Sequence, residues 1–446
     1  MRSAKPKVLQ LLAGRALLDH VLDCAQGLQA RSAVVVTGHQ AELVQAAVQA
    51  RAATLPTQCV LQQPQLGTGH AVQQATPALA DDGLTLVLSG DVPLTQTDTL
   101  QALLSLAKHN TLALLSVRLA NPAGYGRLLR NASGEVQAIV EDKDATDAQR
   151  AVTEVYSGIM AVPSQWLKAA VGRLTNNNAQ GEYYLTDVVA MAVADKLSVA
   201  AHCIDQAWQV AGVNSPQQLA ELERTYQGFT ANRLMHQGVR LADPARIDIR
   251  GQVKVGQDVD IDVNCVFYGD VTIGNNVRIG AHCVIANCAI ADNAVIHPFT
   301  HIDGEQAGAE IGAGALVGPF ARLRPGAQLG ADVHIGNFVE VKNSKLAAGA
   351  KANHLAYLGD AQVGERVNYG AGSITANYDG ANKHKTVIEA DVHVGSNCVL
   401  VAPVTIGAGG TIGAGSTITK DTAPNALSVA RGKQLSIANW ARPKKT

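Results

Sequence analysis

The chain has 446 residues, too many for one ordinary core, so two domains are expected. Its net charge of −1 excludes the electrostatic footprint of a nucleic-acid or anionic-membrane binder. Seven cysteines (24, 59, 203, 265, 283, 288, 398) are odd in number and lack C-x-x-C spacing, which argues against a disulfide frame or a zinc ribbon and for reduced thiols in a cytoplasmic protein.

The first apolar run, Val8 to Leu18, is broken by Gly14 and Arg15 and makes a poor signal peptide. No apolar stretch is long enough to span a membrane. Ala33 to Gly38 reads as a buried strand and Gln40 to Ala53 as a helix. Leu84 to Asp91 reads as a strand, Thr97 to His109 as a helix and Leu112 to Val117 as a third strand. This alternation predicts a mostly parallel sheet covered on both faces over 1–216, with ligands beyond the carboxyl ends of its strands. Asp91 stands at such an end. Residues 217–237 read as a linker helix.

From Val255 onward the period changes. Apolar residues recur every six positions: Val255, Ile261, Phe267, Ile273, Ile279 and Ile285, then after a slip Ile290, Ile296 and Ile302. The series resumes through Ile311, Val317, Leu323, Leu329, Ile335 and Val341, and again through Val394, Leu400, Ile406, Ile412 and Ile418. Neither a helix nor an ordinary strand has that period. It marks a parallel β-helix, with one short strand and a turn per hexapeptide, over 238–446. Ala376 to Lys383 interrupts the rhythm and reads as an outward loop. The tail Arg442-Pro443-Lys444-Lys445 reads as a solvated end.

Several motifs carry a resemblance. Pro6-Lys7-Val8-Leu9, Gln65 to Ala71 (QLGTGHA), Gly90-Asp91-Val92-Pro93-Leu94, Gly124-Tyr125-Gly126-Arg127, Val140-Glu141 and Asn176 to Tyr184 (NNNAQGEYY) resemble sugar-phosphate nucleotidyltransferases. With the hexapeptide half behind them, the whole chain resembles a bacterial family that joins N-acetylglucosamine-1-phosphate uridyltransferase to glucosamine-1-phosphate acetyltransferase. The resemblance implies a Rossmann-like α/β nucleotidyltransferase domain followed by a left-handed parallel β-helix. It implies Mg2+ bound by Asp91 and Asn214, with Lys7 on phosphate. It implies nucleotide contacts from Gln62, Gly67 and Thr68 and from Asn214, and sugar contacts from Gly126 and Glu141. Uridylyl transfer from UTP needs charge neutralisation and alignment more than a protein nucleophile, which suits such a set.

In the second half the resemblance makes His354 the base that takes a proton from the amine of glucosamine 1-phosphate. Arg324 and Lys342 hold the sugar phosphate, Tyr357, Asn368, Asn377 and Tyr378 complete the sugar and acetyl contacts, and Ala371, Ser396, Ala414 and Arg431 contact coenzyme A. The implied partners are small molecules (glucosamine 1-phosphate, N-acetylglucosamine 1-phosphate, UTP and acetyl-CoA) and two further copies of the chain in a homotrimer. Nucleic acid and membrane are not expected partners.

The family pattern also opens with a buried strand and a loop of the form L-A-A-G-x-G-T-R-M, and Met1-Arg2-Ser3 stand where that loop ends. Tyr156 replaces an Asn, and Ser89 a frequent aromatic residue. The expectation is a mis-assigned or truncated start, with roughly 15–20 residues upstream supplying a central strand, and little uridylyl transfer by the chain as given. Two other readings compete. One is a non-catalytic regulatory scaffold. The other is a β-helix metalloenzyme of the γ-carbonic-anhydrase type using His282, His297 and His301.

Overall fold

The computed structural model describes residues 3–51, 54–107 and 110–443. Met1, Lys444, Lys445 and the expected helix ends at Ala53 and His109 therefore lie outside the described residues. The chain divides into two compact units, Met1–Tyr226 and Gln227–Thr446. The division falls within a single helix, Pro216–His236.

In the first unit β1 (Ala33–Thr37) and β2 (Thr57–Leu61) form a parallel pair of their own. A second sheet holds β3 (Leu84–Val87), β4 (Thr111–Arg118), β5 (Arg127–Arg130), β6 (Val136–Val140), β7 (Glu154–Pro163) and β8 (Ser198–Ile204). Helices cross between strands at α1 (Leu17–Gly27), α2 (Ala41–Ala50), α3 (Thr68–Ala75) and α4 (Thr97–Leu106). Strand β7 is the spine. Its apolar run is buried along almost its whole length, and it pairs antiparallel with β3, β4 and β5.

The expectation of a mostly parallel sheet is thus corrected: the larger sheet is mixed. Strands β3 and β4 run the same way because α4 carries the chain back between them. Strands β5 and β6 are joined by a tight turn at Asn131–Glu135, which forces them antiparallel. A cleft of about 1030 Å3 is lined by residues 33–38 of β1 and 84–90 around β3.

The second unit is a parallel solenoid running from Arg240–Leu241 to Leu427–Ser428. Val266 pairs with Val284, Arg322 with Glu340 and Val399 with Thr417, so an ordinary coil takes eighteen residues, three hexapeptides. The hexapeptide Ile, Val, Leu and Phe residues predicted to point inward are buried in one continuous core, with Val255 packed at its edge. Leu346, Ala352, Leu358, Val363, Tyr369 and Ile388 carry the core through the stretch where the sequence rhythm is faint. There Thr375 replaces an aliphatic residue. Its buried hydroxyl accepts from Gly359 N at 2.8 Å and donates to Gly359 O at 3.0 Å, so that hydroxyl is not left unpaired.

The first coil is closed by Gln227. Its side-chain amide accepts from Ile249 N at 2.7 Å and donates to Ile249 O at 2.8 Å, doing for that strand what a neighbouring backbone would. Near the other end Ile374 pairs with Val399, seven residues further than an ordinary coil requires. The excess is the predicted outward loop, closed as a hairpin by an antiparallel bridge between Tyr378 and Lys383.

Candidate active sites

The cleft of the first unit collects four of the eight site residues expected there, and Gln62, Gly67, Asp91 and Asn214 are not among its lining residues. Lys7, Thr68, Gly126, Glu141 and Tyr156 all line it. Lys7 Nζ lies 2.5 Å from Asp91 Oδ2 and 2.9 Å from Asn214 Oδ1, so a residue early in the chain, one after β3 and one after β8 converge on one point. Asp91 is fixed by its own backbone, whose carbonyl accepts from Val213 N at 3.0 Å.

The turn before α3 forms a second group. Gly67 has φ of 105°, a conformation that favours glycine, and a Cβ there would sit 2.7 Å from Tyr183 O. Gln62 Nε2 donates to Gly67 O at 2.9 Å and lies 3.2 Å from His70 Nδ1. Thr68 Oγ1 accepts from Leu185 N at 3.1 Å. The turn is therefore pinned to the 183–185 segment, where Gly69 N, in the first turn of α3, also donates to Tyr183 O at 2.7 Å.

Gly126 packs on Glu141, and any Cβ there would press on Ile139. Burial raises the Glu141 carboxyl above the ordinary carboxylate range, against the Thr186 hydroxyl donating to it at 2.9 Å. Tyr156 is buried with its hydroxyl unpartnered, and burial raises it too. Ser89 packs against the bare Cα of Gly158. Arg127 belongs to the Gly124–Arg127 motif, which gave it no role of its own. Buried, it holds the Gly124–Gly126 loop by donating to Tyr125 O and to Asp142 Oδ1 at 2.8 Å.

In the second unit His354 ends the strand Lys351–His354 at a corner of the prism. Its Nδ1 lies 2.9 Å from Asn337 Oδ1, one coil earlier. The same corner recurs on later coils. Gly372 N donates to His354 O, Asn397 N to Ala371 O and Gly415 N to Ser396 O, and Arg431 Nη1 donates to Ala414 O at 2.8 Å. His354 and the four residues expected to contact coenzyme A therefore lie along one column. Beyond His354 the column carries the small residues Ala371, Gly372, Ser396, Ala414 and Gly415. Asn368 sits on the flat face leading into it.

Arg324 and Lys342 occupy a different column. The strand register sets Lys342 beside Gly359, with Arg324 one coil before it. Arg324 donates to Glu340 Oε1 at 2.9 Å. The Lys342 ammonium is held below the ordinary lysine range, first by Lys383 beside it, then by lost solvent, then by Arg324. Three cations thus gather beside two carboxylates, Glu340 on Arg324 and Asp360 near Lys342. Tyr357 lies over Gly359, whose missing Cβ leaves room for the ring. Asn377 donates to Asp360 Oδ2 from the base of the loop, and Tyr378, at the bridge that closes the hairpin, is 62% exposed and donates to Gly380 O at 2.6 Å.

Asn337 and Lys383 were not singled out in the sequence. Counting one coil back from His354 would have found Asn337. Lys383 lies in a loop whose path no periodicity predicts. Among the described residues, no group of three His, Cys, Asp or Glu could hold a metal ion, and His282 stacks on Phe299, so the γ-carbonic-anhydrase reading gains no support.

Residues 1–155 match the model of the MobA-like NTP transferase domain. Residues 252–287, 308–343 and 385–420 match the bacterial transferase hexapeptide of six repeats. The whole chain is 70% identical to the bifunctional protein GlmU of Paracidovorax citrulli (strain AAC00-1), covering 96% of that protein. It is 69% identical to that of Acidovorax ebreus (strain TPSY), again over 96%. It is 55% identical to that of Nitrosospira multiformis (strain ATCC 25196 / NCIMB 11849 / C 71), over 95% of its length. Two domains matched in order, and identity of this level from end to end, show that the chain belongs to the bifunctional GlmU family.

Proposed function

We propose that the chain makes UDP-N-acetylglucosamine in two steps, acetyl transfer from acetyl-CoA to glucosamine 1-phosphate in the second unit and uridylyl transfer from UTP to N-acetylglucosamine 1-phosphate in the first. The observation that carries the reading is the His354 column. An amide oxygen 2.9 Å from Nδ1 accepts that nitrogen's hydrogen and leaves Nε2 as the free base. The amine nitrogen attacks the thioester carbon, Nε2 takes the amine proton, and the C–S bond breaks as the protonated ring returns that proton to the departing sulfur, releasing coenzyme A as its thiol. The run of small residues Ala371, Ser396 and Ala414 suits the thin arm of the coenzyme, with Arg431 near its end. Arg324, Lys342 and Lys383 suit a phosphate dianion. Tyr357, Asn368, Asn377 and Tyr378 complete the sugar and acetyl contacts.

In the first unit a phosphate oxygen of the sugar attacks the α-phosphorus of UTP and pyrophosphate leaves. Lys7 neutralises phosphate charge, and the Gly67–Thr68 turn and Gln62 orient the nucleotide. Gly126 and Glu141 receive the sugar. Asp91 Oδ2 and Asn214 Oδ1 already face one cation, the Lys7 ammonium, so this oxygen pair fits Mg2+ held by few protein ligands. Bound there, Mg2+ would supply charge neutralisation at the phosphates.

The base and the cation cluster occupy separate columns, which favours a site completed between copies, and we take the working form to be a homotrimer. A cytoplasmic location suits the seven free thiols, five of them buried. Among the described residues no helix is long and apolar enough to cross a membrane. The filled His354 column disfavours a purely regulatory scaffold. The test is direct: acetyl-CoA with glucosamine 1-phosphate should release free thiol, and UTP with N-acetylglucosamine 1-phosphate should release pyrophosphate. A chain that does neither would refute the reading.

A further inference from the structure

Three polar side chains meet beside the cleft of the first unit, and the uridylyl transfer described so far uses only one of them. Gln62 directly follows β2, and its backbone N–H donates to Thr37 O at 2.7 Å, next to the cleft-lining Thr37 and Gly38. His70 and Gln74 stand four residues apart on α3 and so share one face of the helix. Gln62 Nε2 lies 2.9 Å from Gly67 O and 3.2 Å from His70 Nδ1, and Gln74 Nε2 lies 3.1 Å from His70 Nε2. The His70 ring leans on Tyr183, with centroids 6.2 Å apart. All three side chains are half-buried.

The hydrogens follow by elimination. A carbonyl oxygen only accepts, so Gly67 O fixes the Gln62 amide with its nitrogen toward the turn. The second hydrogen of that nitrogen goes to His70 Nδ1, which is then the bare nitrogen of the ring. A neutral imidazole carries one hydrogen, so it sits on Nε2 and needs an acceptor. Gln74 supplies one by turning its amide oxygen to the ring, the two ends of an amide having the same shape. Both amide hydrogens of Gln62 are thus spent inside the protein. What remains is Oε1, an acceptor to which nothing donates among the described residues.

We infer, resting on the uridylyl transfer proposed above, that His70 is a positioning residue that sets the choice of pyrimidine: by holding the Gln62 amide in one of its two orientations, it leaves the nucleotide base an acceptor and no donor. Uracil carries a hydrogen on N3 between two carbonyls and can donate it to Oε1. Neutral cytosine has a bare N3 in the same place, so two lone pairs would face each other and a polar contact would be lost, which is how such sites refuse a close analogue. Gly67 O alone would leave the amide free to twist about a single hydrogen bond. His70 adds the second fixed point, and Gln74 holds His70 in the tautomer that can accept. Thymine keeps the N3 hydrogen, so this device sorts by hydrogen-bond pattern and is indifferent to a methyl group.

The test uses the full chain and reads pyrophosphate release from UTP and from CTP with N-acetylglucosamine 1-phosphate. His70→Phe keeps a ring against Tyr183 and removes the acceptor. Its kcat/KM for UTP should fall about tenfold while that for CTP stays near its low starting value, so the UTP-to-CTP ratio falls by the same factor. His70→Asn puts a side-chain oxygen close to the place of Nδ1 and should recover most of the ratio. In a Gln62→Leu background, His70→Phe should leave the ratio unchanged, because the group it positions is gone. As a second measurement, NMR of nitrogen-labelled histidine in the wild type should find the His70 hydrogen on Nε2. Equal losses with UTP and CTP in His70→Phe, or a ring carrying its hydrogen on Nδ1, would overturn the role given to His70. A wild type that uses neither triphosphate would refute uridylyl transfer itself. The His70 tautomer then decides alone: Nε2–H supports the held amide and Nδ1–H overturns it.

Discussion

Asn337 Oδ1 and His354 Nδ1 face each other at 2.9 Å across one turn of the solenoid. The pairing follows from the coil itself, because the strand register sets Asn337 directly beside His354. It makes Asn337 a positioning residue for the proposed base. His354→Ala should lower acetyl-transfer turnover by about a hundredfold or more, the scale for losing a general base. Asn337→Ala should lower it by about tenfold with little change in KM, because the ring stays but loses its fixed tautomer. Steady-state kinetics on both variants check this, and an Asn337→Ala enzyme that lost KM instead of kcat would assign Asn337 to substrate binding.

The Lys7–Asp91–Asn214 contact predicts a separate signature. Asp91→Asn keeps the shape and removes the only formal negative charge of the trio. The Mg2+ concentration needed for half-maximal pyrophosphate release should rise by about tenfold or more, since a hard cation prefers a carboxylate to an amide. Lys7→Ala should instead raise the KM for UTP, leaving the Mg2+ requirement near its original value. If the two variants gave the same phenotype, the division of labour would be wrong.

Reading these sites from sequence worked where a regular geometry underlay them. Ile273, Ile279 and Ile285 announce the solenoid because one apolar residue per hexapeptide is the whole requirement of its core. The rhythm faded where Thr375 met its needs by hydrogen bonds to Gly359 instead of by apolar packing. In the first unit the β–α alternation was legible. Strand direction was not, because the short turn between β5 and β6 carries no apolar signal distinguishing it from a crossover. Asn337 and Lys383 were missed for opposite reasons: the first needs coil counting, and the second needs the path of an inserted loop.

Gly359 offers a way to separate activity from stability. A Cβ at this position would lie 2.3 Å from Tyr357 Oη and 2.5 Å from Cζ, against the far end of a movable side chain. The fold can yield by turning the ring away. Gly359→Ala should therefore leave the melting temperature nearly unchanged while raising the KM for glucosamine 1-phosphate by about tenfold, because a proposed sugar contact is displaced. A large loss of stability with normal KM would show that Tyr357 is held by packing and has no part in binding.

Glu141 gives a pH-dependent prediction. Burial raises its carboxyl above the ordinary value, outweighing the Thr186 hydroxyl that donates to it. A carboxyl whose folded value is raised contributes its stability fully below the unfolded value and loses it as pH rises through the folded value. At about pH 7 the half-buried carboxylate is a cost. Glu141→Gln keeps an acceptor for Thr186 and carries no charge. It should raise the melting temperature of the first unit at about pH 7 and give no gain at about pH 4, where the carboxyl is protonated anyway. Calorimetry at the two pH values decides, and an equal gain at both would rule out ionisation as the cause.

The loop cation beside Lys342 supplies the last test. Lys383 is brought there by the hairpin that its bridge to Tyr378 closes, and Asp379 stiffens the loop by accepting from Ala381 N at 2.8 Å and Asn382 N at 2.6 Å and by pairing with His384. Lys342 and Lys383 repel, which lowers the Lys342 ammonium. A phosphate dianion between them would turn that repulsion into two charge-assisted contacts. Lys383→Met should raise the Lys342 titration, read by NMR of labelled lysine, and weaken glucosamine 1-phosphate binding by about tenfold, the scale of one hydrogen bond to a charged group. Because the cluster is open to solvent, wild-type affinity should also fall as salt rises and the Debye length shortens to about 10 Å at 0.1 M. The variant, with one charge fewer, should show a shallower salt dependence. Binding that ignores both the substitution and the salt would place the phosphate elsewhere.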